Sequence, residues 1–180
     1  MTIPLFDDWR VRSLMPADAE AIAKYANNRN VSINLRDSFP YPYTLADAQK
    51  WLRSVAARQP ETAWAIASSR EVVGGIGIHI QPDVYRHSAE LGYWLGEPFW
   101  GKGIATAAVK SVVDFVFRNF DLVRLFAGVF EWNPASERVL KKAGFVLESR
   151  MRKSVLKEGK HIDQLLYVII REDWEKNISH

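Results

Sequence analysis

The sequence predicts an α+β domain around one mixed sheet, with elements in the order β-α-α-β-β-β-α-β-α-β-β. Three observations carry this expectation. Short alternating or continuous apolar runs, bounded by Gly, Asn, Pro and Ser, recur along the chain. Between them lie segments with apolar residues at i, i+3, i+4 and i+7, several introduced by a capping residue. No repeat, linker or low-complexity stretch interrupts the 180 residues, a length that suits one domain with a sizeable core. A single domain is therefore expected over 1–180, its core running from about Trp9 to Trp174.

Trp9-Arg10-Val11-Arg12-Ser13-Leu14 alternates and reads as the first strand. Pro16 opens a helix whose apolar positions are Ala19, Ile22, Ala23 and Ala26, and Asn27-Asn28-Arg29-Asn30 ends it. A polar and aromatic loop, Asn34 to Tyr43, follows. Thr44 with Asp47 makes a capping box for a second helix striped by Ala48, Trp51, Leu52 and Val55. Thr62–Ser68 and Val72–Ile80 form a hairpin about Ser69-Arg70-Glu71, and Ser88–Leu95 is a further strand. A helix from Ile104 is expected to bury Ile104, Ala108, Val112, Phe115 and Val116, and Leu122–Phe130 is strand-like again. Asn133 is placed to N-cap a short helix with Pro134 first inside it and Gly144 just past its end. Phe145–Leu156 and Ile162–Ile170 make a last hairpin about Lys157-Glu158-Gly159-Lys160.

Composition excludes several function classes. Hydrophobic residues are 48% and charged residues 25%, the mix of a soluble globular protein, and no apolar run is long enough to span a membrane. The first residues carry Asp7 and Asp8 where a signal peptide would carry base, so a cytoplasmic location is expected. With no cysteine there is no disulfide, no thiolate metal ligand and no cysteine acyl-enzyme. His79, His87, His161 and His180 show no metal-ligand spacing, so no metal is expected. A net charge of +3 without a dense basic block argues against nucleic acid as a partner.

The most informative stretch is Trp100-Gly101-Lys102-Gly103-Ile104-Ala105-Thr106. A glycine turn feeding a helix start leaves backbone N–H groups unpaired at the positive end of the helix dipole, an arrangement that suits a phosphate. The P-loop pattern fails, because Gly103 follows Lys102 where Ser or Thr is needed. The dinucleotide fingerprint fails too, since its last small position falls on Thr106 and no βαβ unit precedes it. Gly74-Gly75-Ile76-Gly77 lies inside a strand with no helix behind it. If the sheet is continuous, the strands ending at Leu95 and Phe130 finish near one edge. A ligand held at Gly101–Thr106 would then run toward Glu90, Glu131, Asn133 and Ser136.

These residues resemble the GNAT superfamily of N-acetyltransferases, in the branch of the ribosomal-protein acetyltransferases RimJ and RimL. The resemblance rests on Ala89-Glu90-Leu91-Gly92-Tyr93-Trp94-Leu95, Trp100 to Thr106, Asn133-Pro134-Ala135-Ser136 and Val139-Leu140-Lys141-Lys142-Ala143-Gly144-Phe145. It implies a mostly antiparallel sheet flanked by about four helices, and acetyl-CoA as cosubstrate. Its pyrophosphate would lie on the backbone of Gly101, Lys102, Gly103, Ile104, Ala105 and Thr106. The pantetheine arm would add beside Trp94 and Leu95, with Asn133 and Ser136 at its far end. Transfer in the family is direct from thioester to amine, in keeping with the absence of cysteine.

Two positions depart from the family pattern. Trp100 stands where Gln or Arg is usual, although the RimJ/RimL-like branch often has an aromatic there. Leu140 stands where many members carry the tyrosine that protonates the CoA thiolate. Ser136 is the nearest substitute, as proton donor or thiolate hydrogen-bonder, and its alternative role is to complete the Asn133 cap. A thiol titrates near ~8.5, so the leaving group needs little acid help at neutral pH.

A base must take a proton from the amine. Neutralising a protein α-amine at pH 7 costs roughly 1–1.4 kcal/mol, against roughly 4.6 kcal/mol for lysine, and a carboxylate acting through water handles the first more easily. Glu90, on the central strand, is preferred to Glu131; the other role open to Glu90 is an edge ion pair. Asn34, Phe39, Tyr41 and Tyr43 are the candidates to wall the acceptor groove, or else to pack a proline-rich loop. The expected activity is acetylation of a primary amine, foremost a protein N-terminus. A small-molecule amine is the second acceptor class, and a non-catalytic acyl-CoA-binding module is the alternative from another class. Either enzyme is expected to be a monomer or homodimer.

Overall fold

The computed structural model describes residues 1–178; His180, one of the four histidines weighed above, lies outside the described residues. Eight strands form one sheet in the order β1-β2-β3-β4-β5-β6-β8-β7, namely β1 (Thr2–Pro4), β2 (Arg10–Ser13), β3 (Ala63–Ala67), β4 (Val72–Ile80), β5 (Ser88–Leu95), β6 (Arg124–Phe130), β7 (Val146–Lys157) and β8 (Lys160–Ile170). The helices among the described residues are α1 (Ala19–Ala26), α2 (Arg29–Ser32), α3 (Leu45–Ala56), α4 (Ile104–Asn119), α5 (Pro134–Lys142) and α6 (Arg171–Ile178). The mixed α+β sheet is therefore as expected, and six helices replace the expected four or so.

The additional elements β1, α2 and α6 are the ones whose signals are weakest locally. β1 is three residues long and held by antiparallel pairing with β2, Ile3 opposite Val11. α2 is a single turn inside the asparagine-rich stretch read as a helix stop, and the Asn28 side chain caps it by accepting from the Asn30 N–H. α6 anchors through Trp174, which is buried and packs its ring 5.4 Å from Phe117.

The chain divides into two compact units. The first comprises Met1–Gly77 with Tyr93–Ser111. Here β2, β3 and β4 pair antiparallel, and every residue of β3 is buried. Against this sheet Ala19, Ile22 and Ala26 of α1 and Ala48 and Leu52 of α3 form a buried cluster with Ala65, Ala67 and Val72, which is the predicted helical stripe. The Thr44–Asp47 capping box forms as the sequence demands. Gly74 cannot be replaced, because a Cβ there would sit 2.3 Å from the Trp94 carbonyl oxygen. That close backbone approach explains Gly74, and the Thr62 carbonyl, 2.7 Å from where a Cβ would sit, does the same for Gly77.

The second unit comprises Ile78–Gly92 and the chain from Val112 onward. β5 pairs in parallel with β6 through Ser88–Glu90 and Arg124–Phe126, while β6, β8 and β7 form an antiparallel set. A parallel pair requires a crossover, and α4 supplies it. α4 buries Val112, Val113, Val116 and Phe117, whereas Phe115, expected in the stripe, is only half-buried. The last turn of α4 leaves carbonyls that need donors. Arg171 serves this end of the helix, its guanidinium donating to the carbonyl of Phe117 in the last turn and to those of Phe120 and Leu122 just beyond it.

This fork generates a stability prediction. Arg171→Ala strips three carbonyls of a charged donor and is expected to cost about 2–3 kcal/mol, lowering Tm by roughly 4–12 °C. Arg171→Lys, which lacks the planar fork, restores less than half of the loss. Differential scanning calorimetry reads both, and a drop under about 1 °C for the alanine variant would deny the fork a stabilising role.

Candidate active site

In the first unit, β5 ends at buried Leu95, and the Gly96 N–H donates to the Val73 carbonyl at 2.8 Å. A 3₁₀ turn, Glu97–Phe99, follows with Pro98 inside it. Phe99 is wedged edge-on against Trp9 and Tyr25, with ring centroids 5.7 and 5.1 Å away. Trp100 closes the turn by donating its indole N–H to the Leu95 carbonyl at 2.7 Å. An aromatic with a donor at position 100 thus has a structural task that neither Gln nor Arg is needed for.

Gly101 and Gly103 then adopt φ of +76° and +80°, and a Cβ on either would meet nothing within 4 Å. Positive φ demands glycine here, while the space beside it stays open. Ile104, fully buried, anchors the first turn of α4, and the Ala107 N–H donates to the Gly103 carbonyl at 3.0 Å. Helical geometry leaves the N–H groups of Ile104, Ala105 and Thr106 without intrahelical acceptors. Open glycines beside unspent donors fit a diphosphate. The Lys102 ammonium lies 5.6 Å over the Phe99 ring, leaving the backbone as the main feature of the turn.

The aromatic loop of the same unit separates into packing and exposed members. Phe39 lies 4.8 Å from Tyr43 and 5.6 Å from Trp94, ring to ring. Tyr43 is buried, and burial pushes its hydroxyl up to about 12, so it stays neutral. Both side chains belong to the α1–α3 core or pack against it. Tyr41 is half-exposed, with the Arg29 guanidinium 5.7 Å over its ring. The Asn34 side chain donates to the Asn30 carbonyl at 2.9 Å.

In the second unit, the Asn133 side chain accepts from the Ser136 N–H at 3.2 Å, the expected cap, with Pro134 at the start of α5. Gly144 ends the helix at φ +92°. Four residues beyond half-buried Ser136, and so on the same helical face, Leu140 is completely buried. Glu90 is half-buried at the last parallel pair of β5, opposite Phe126.

Glu131 is committed elsewhere. One carboxylate oxygen accepts from Arg150 at 2.6 Å and the other from the Asp163 N–H at 3.0 Å. Asp163 in turn accepts from Arg150 Nε at 2.6 Å and from the Lys153 N–H at 2.8 Å, within a bulged stretch of β7. The Lys153 N–H bond first, and Arg150 second, hold the Asp163 carboxyl below its ordinary value. Arg150 is therefore the centre of an ion-pair cluster.

One group escaped the sequence reading. The buried Tyr167 hydroxyl donates to Glu137 at 2.6 Å, and Lys141 lies 3.5 Å from the same carboxylate, docking α5 on β8. Burial first, then the Glu137 contact, raises the tyrosine above its usual range. The i, i+4 spacing of Glu137 and Lys141 was visible, but their tyrosine lies 30 residues on from Glu137.

Comparison with known proteins bears on this arrangement. The sequence profile described as "Acetyltransferase (GNAT) domain" matches residues 9–146. The uncharacterized N-acetyltransferase YoaA of Bacillus subtilis (strain 168) is 30% identical over 166 residues, which cover 89% of this chain and 92% of that protein. The ribosomal-protein-serine acetyltransferase of Escherichia coli (strain K12) is 30% identical over 101 residues, 56% of this chain and 55% of that one. Among solved structures, RimL, the ribosomal L7/L12 alpha-N-protein acetyltransferase in complex with coenzyme A, superposes with a TM-score of 0.83 at 22% identity, over 94% of this chain and 98% of its own. Among the described residues no helix is long and apolar enough to cross a membrane. A profile match over most of the chain, together with the strand order and the glycine turn at the start of α4, decides the family: this chain belongs to the GNAT acetyltransferases and is an acetyl-CoA-dependent N-acetyltransferase.

Proposed function

We propose that the protein moves the acetyl group of acetyl-CoA directly onto a protein N-terminal α-amine. The observation that carries the cosubstrate half of this reading is the open pair of positive-φ glycines at the start of α4. In this role the backbone of Gly101, Lys102, Gly103, Ile104, Ala105 and Thr106 holds the diphosphate, and the Trp94–Leu95 backbone guides the pantetheine arm.

Acetyl-CoA supplies a thioester carbonyl: the amine nitrogen bonds to its carbon, the C–S bond breaks, and the electron pair leaves on sulfur. Glu90, acting through water, accepts the proton that the amine must lose. Glu90 is favoured over Glu131 for its place on the central strand β5, opposite Phe126; the two Glu131 oxygens are held by Arg150 and the Asp163 N–H. Ser136 donates a hydrogen bond or a proton to the thiolate, beside Asn133. Leu140 has no proton to give and lies in the core.

Two considerations support the acceptor class. Relatives named above act on ribosomal proteins, and an α-amine reaches its neutral form at roughly 1–1.4 kcal/mol at pH 7, within reach of a single carboxylate base. The segment leading to the exposed Tyr41 carries Arg29 and Arg36 against Asp37, a poor match for a polycationic amine.

The deciding experiment is a thiol-release assay with acetyl-CoA against peptides with free N-termini, N-terminally blocked lysine peptides and polyamines. The chain has no cysteine, so it adds no background thiol. Free N-termini are expected to be acetylated at the highest kcat/KM, and preference for a polyamine would overturn the acceptor class. Gly103→Val places a β-branched residue at φ +80° and is expected to weaken acetyl-CoA at least tenfold, about 1.4 kcal/mol, by calorimetry, with the circular dichroism spectrum retained. Unchanged affinity would remove the cradle. Glu90→Gln is expected to lower kcat roughly 100-fold at pH 7. The deficit should shrink as pH rises past the α-amine pKa of about 8, where the amine is already neutral. A pH profile identical to wild type would take the base role from Glu90.

A further inference from the structure

The asparagine-rich stretch before the aromatic loop has a use that capping alone does not exhaust. Asn28 spends its side-chain oxygen on the Asn30 N–H at 2.8 Å, which turns its amide nitrogen toward Glu97, where it donates at 2.6 Å. Asn30 donates its own amide to the other Glu97 oxygen at 2.9 Å. The Asn30 carbonyl accepts from the Asn34 side chain, and the Asn27 side chain accepts from the Tyr43 N–H at 3.0 Å, closing the base of the loop. Both oxygens of one carboxylate are thus held by the segment that enters the loop carrying Asn34 and Tyr41.

Glu97 is also the first residue of the turn that delivers the glycines. Its carbonyl accepts from the Trp100 N–H at 3.1 Å, and Trp100 precedes Gly101 directly. Phe99, clamped by Trp9 and Tyr25, denies this turn slack. Residual motion of the glycine turn is therefore passed to Glu97, and through two amides to residues 28–34, so that an anion which damps the one damps the other. The carboxylate links two elements far apart in sequence, 67 residues in the case of Asn30.

We propose that Glu97 is a positioning residue that couples occupancy of the CoA cradle to the order of the acceptor loop, residues 28–43; this rests on the cradle assigned under the proposed function. Binding at Gly101–Thr106 then prepares the loop for the amine, and by linkage an acceptor on the loop tightens the cradle by the same factor.

Hydrogen–deuterium exchange with and without CoA tests this in the intact chain. In wild type, CoA is expected to slow exchange in residues 97–106 and, by about fivefold or more, in residues 28–43. Glu97→Gln presents an amide to two donors and so loses at least one bond. Asn30→Ala removes one amide without touching the turn. In both variants CoA should still protect 97–106 but protect 28–43 less than about twofold. A purely structural role would raise exchange with and without CoA alike and leave the CoA-dependent ratio unchanged, which overturns the coupling. Wild-type residues 28–43 indifferent to CoA overturn it as well. Protection of neither segment would remove the cradle itself, and the coupling with it.

Discussion

The start of α4 cannot satisfy its own backbone donors, and much of the first unit keeps that helix end open and fixed. Leu95 and Ile104 are buried on either side of the turn, so the exposed part between them is short. Trp100 ties back to the end of β5 through its indole, and Phe99 is gripped by two aromatic rings. Only then do two glycines adopt a conformation that other residues would populate at a cost of about 1–3 kcal/mol each. Flexible glycines set in a rigid frame make a defined shape, whereas the same glycines in a loose loop would have to be ordered by the ligand.

One position of α5 departs from the family pattern. The buried Leu140 sits where a tyrosine acid would be, and a hydroxyl placed there would need a partner or lose free energy on burial. The tyrosine that does reach α5 is Tyr167, whose hydroxyl is taken by Glu137. α5 is therefore docked by a polar contact on one side and an apolar one on another.

The sequence made legible what local rules determine. The Thr44–Asp47 box, the Asn133 cap, the Gly144 terminus and the turns at Ser69 and Glu158 depend on residues within a few positions of each other. The glycine turn at the start of α4 was legible for the same reason. What was not legible depends on residues distant in sequence. Glu131 offered a second base on paper, and only the folded hairpin brings Arg150 and Asp163 to its carboxylate. Phe39 packs on Tyr43 and on Trp94, and the second contact lies beyond any local pattern. β1 and α2 are too short to show a period, and pairing or capping by distant or polar groups sustains them.

Lys102 folds over the Phe99 ring, and the open glycines leave main-chain dipoles as the nearest complement to a diphosphate. Such dipoles are part of the framework and do not swing away or collect counterions as lysine side chains do. Attraction between mobile surface charges fades as ionic strength rises and the Debye length contracts to about 10 Å at 0.1 M. Contact with fixed N–H groups at hydrogen-bond range is far less sensitive. An enzyme built this way would keep its grip on a highly charged cosubstrate across the salt conditions a cell passes through, and its salt response would report mainly on the acceptor.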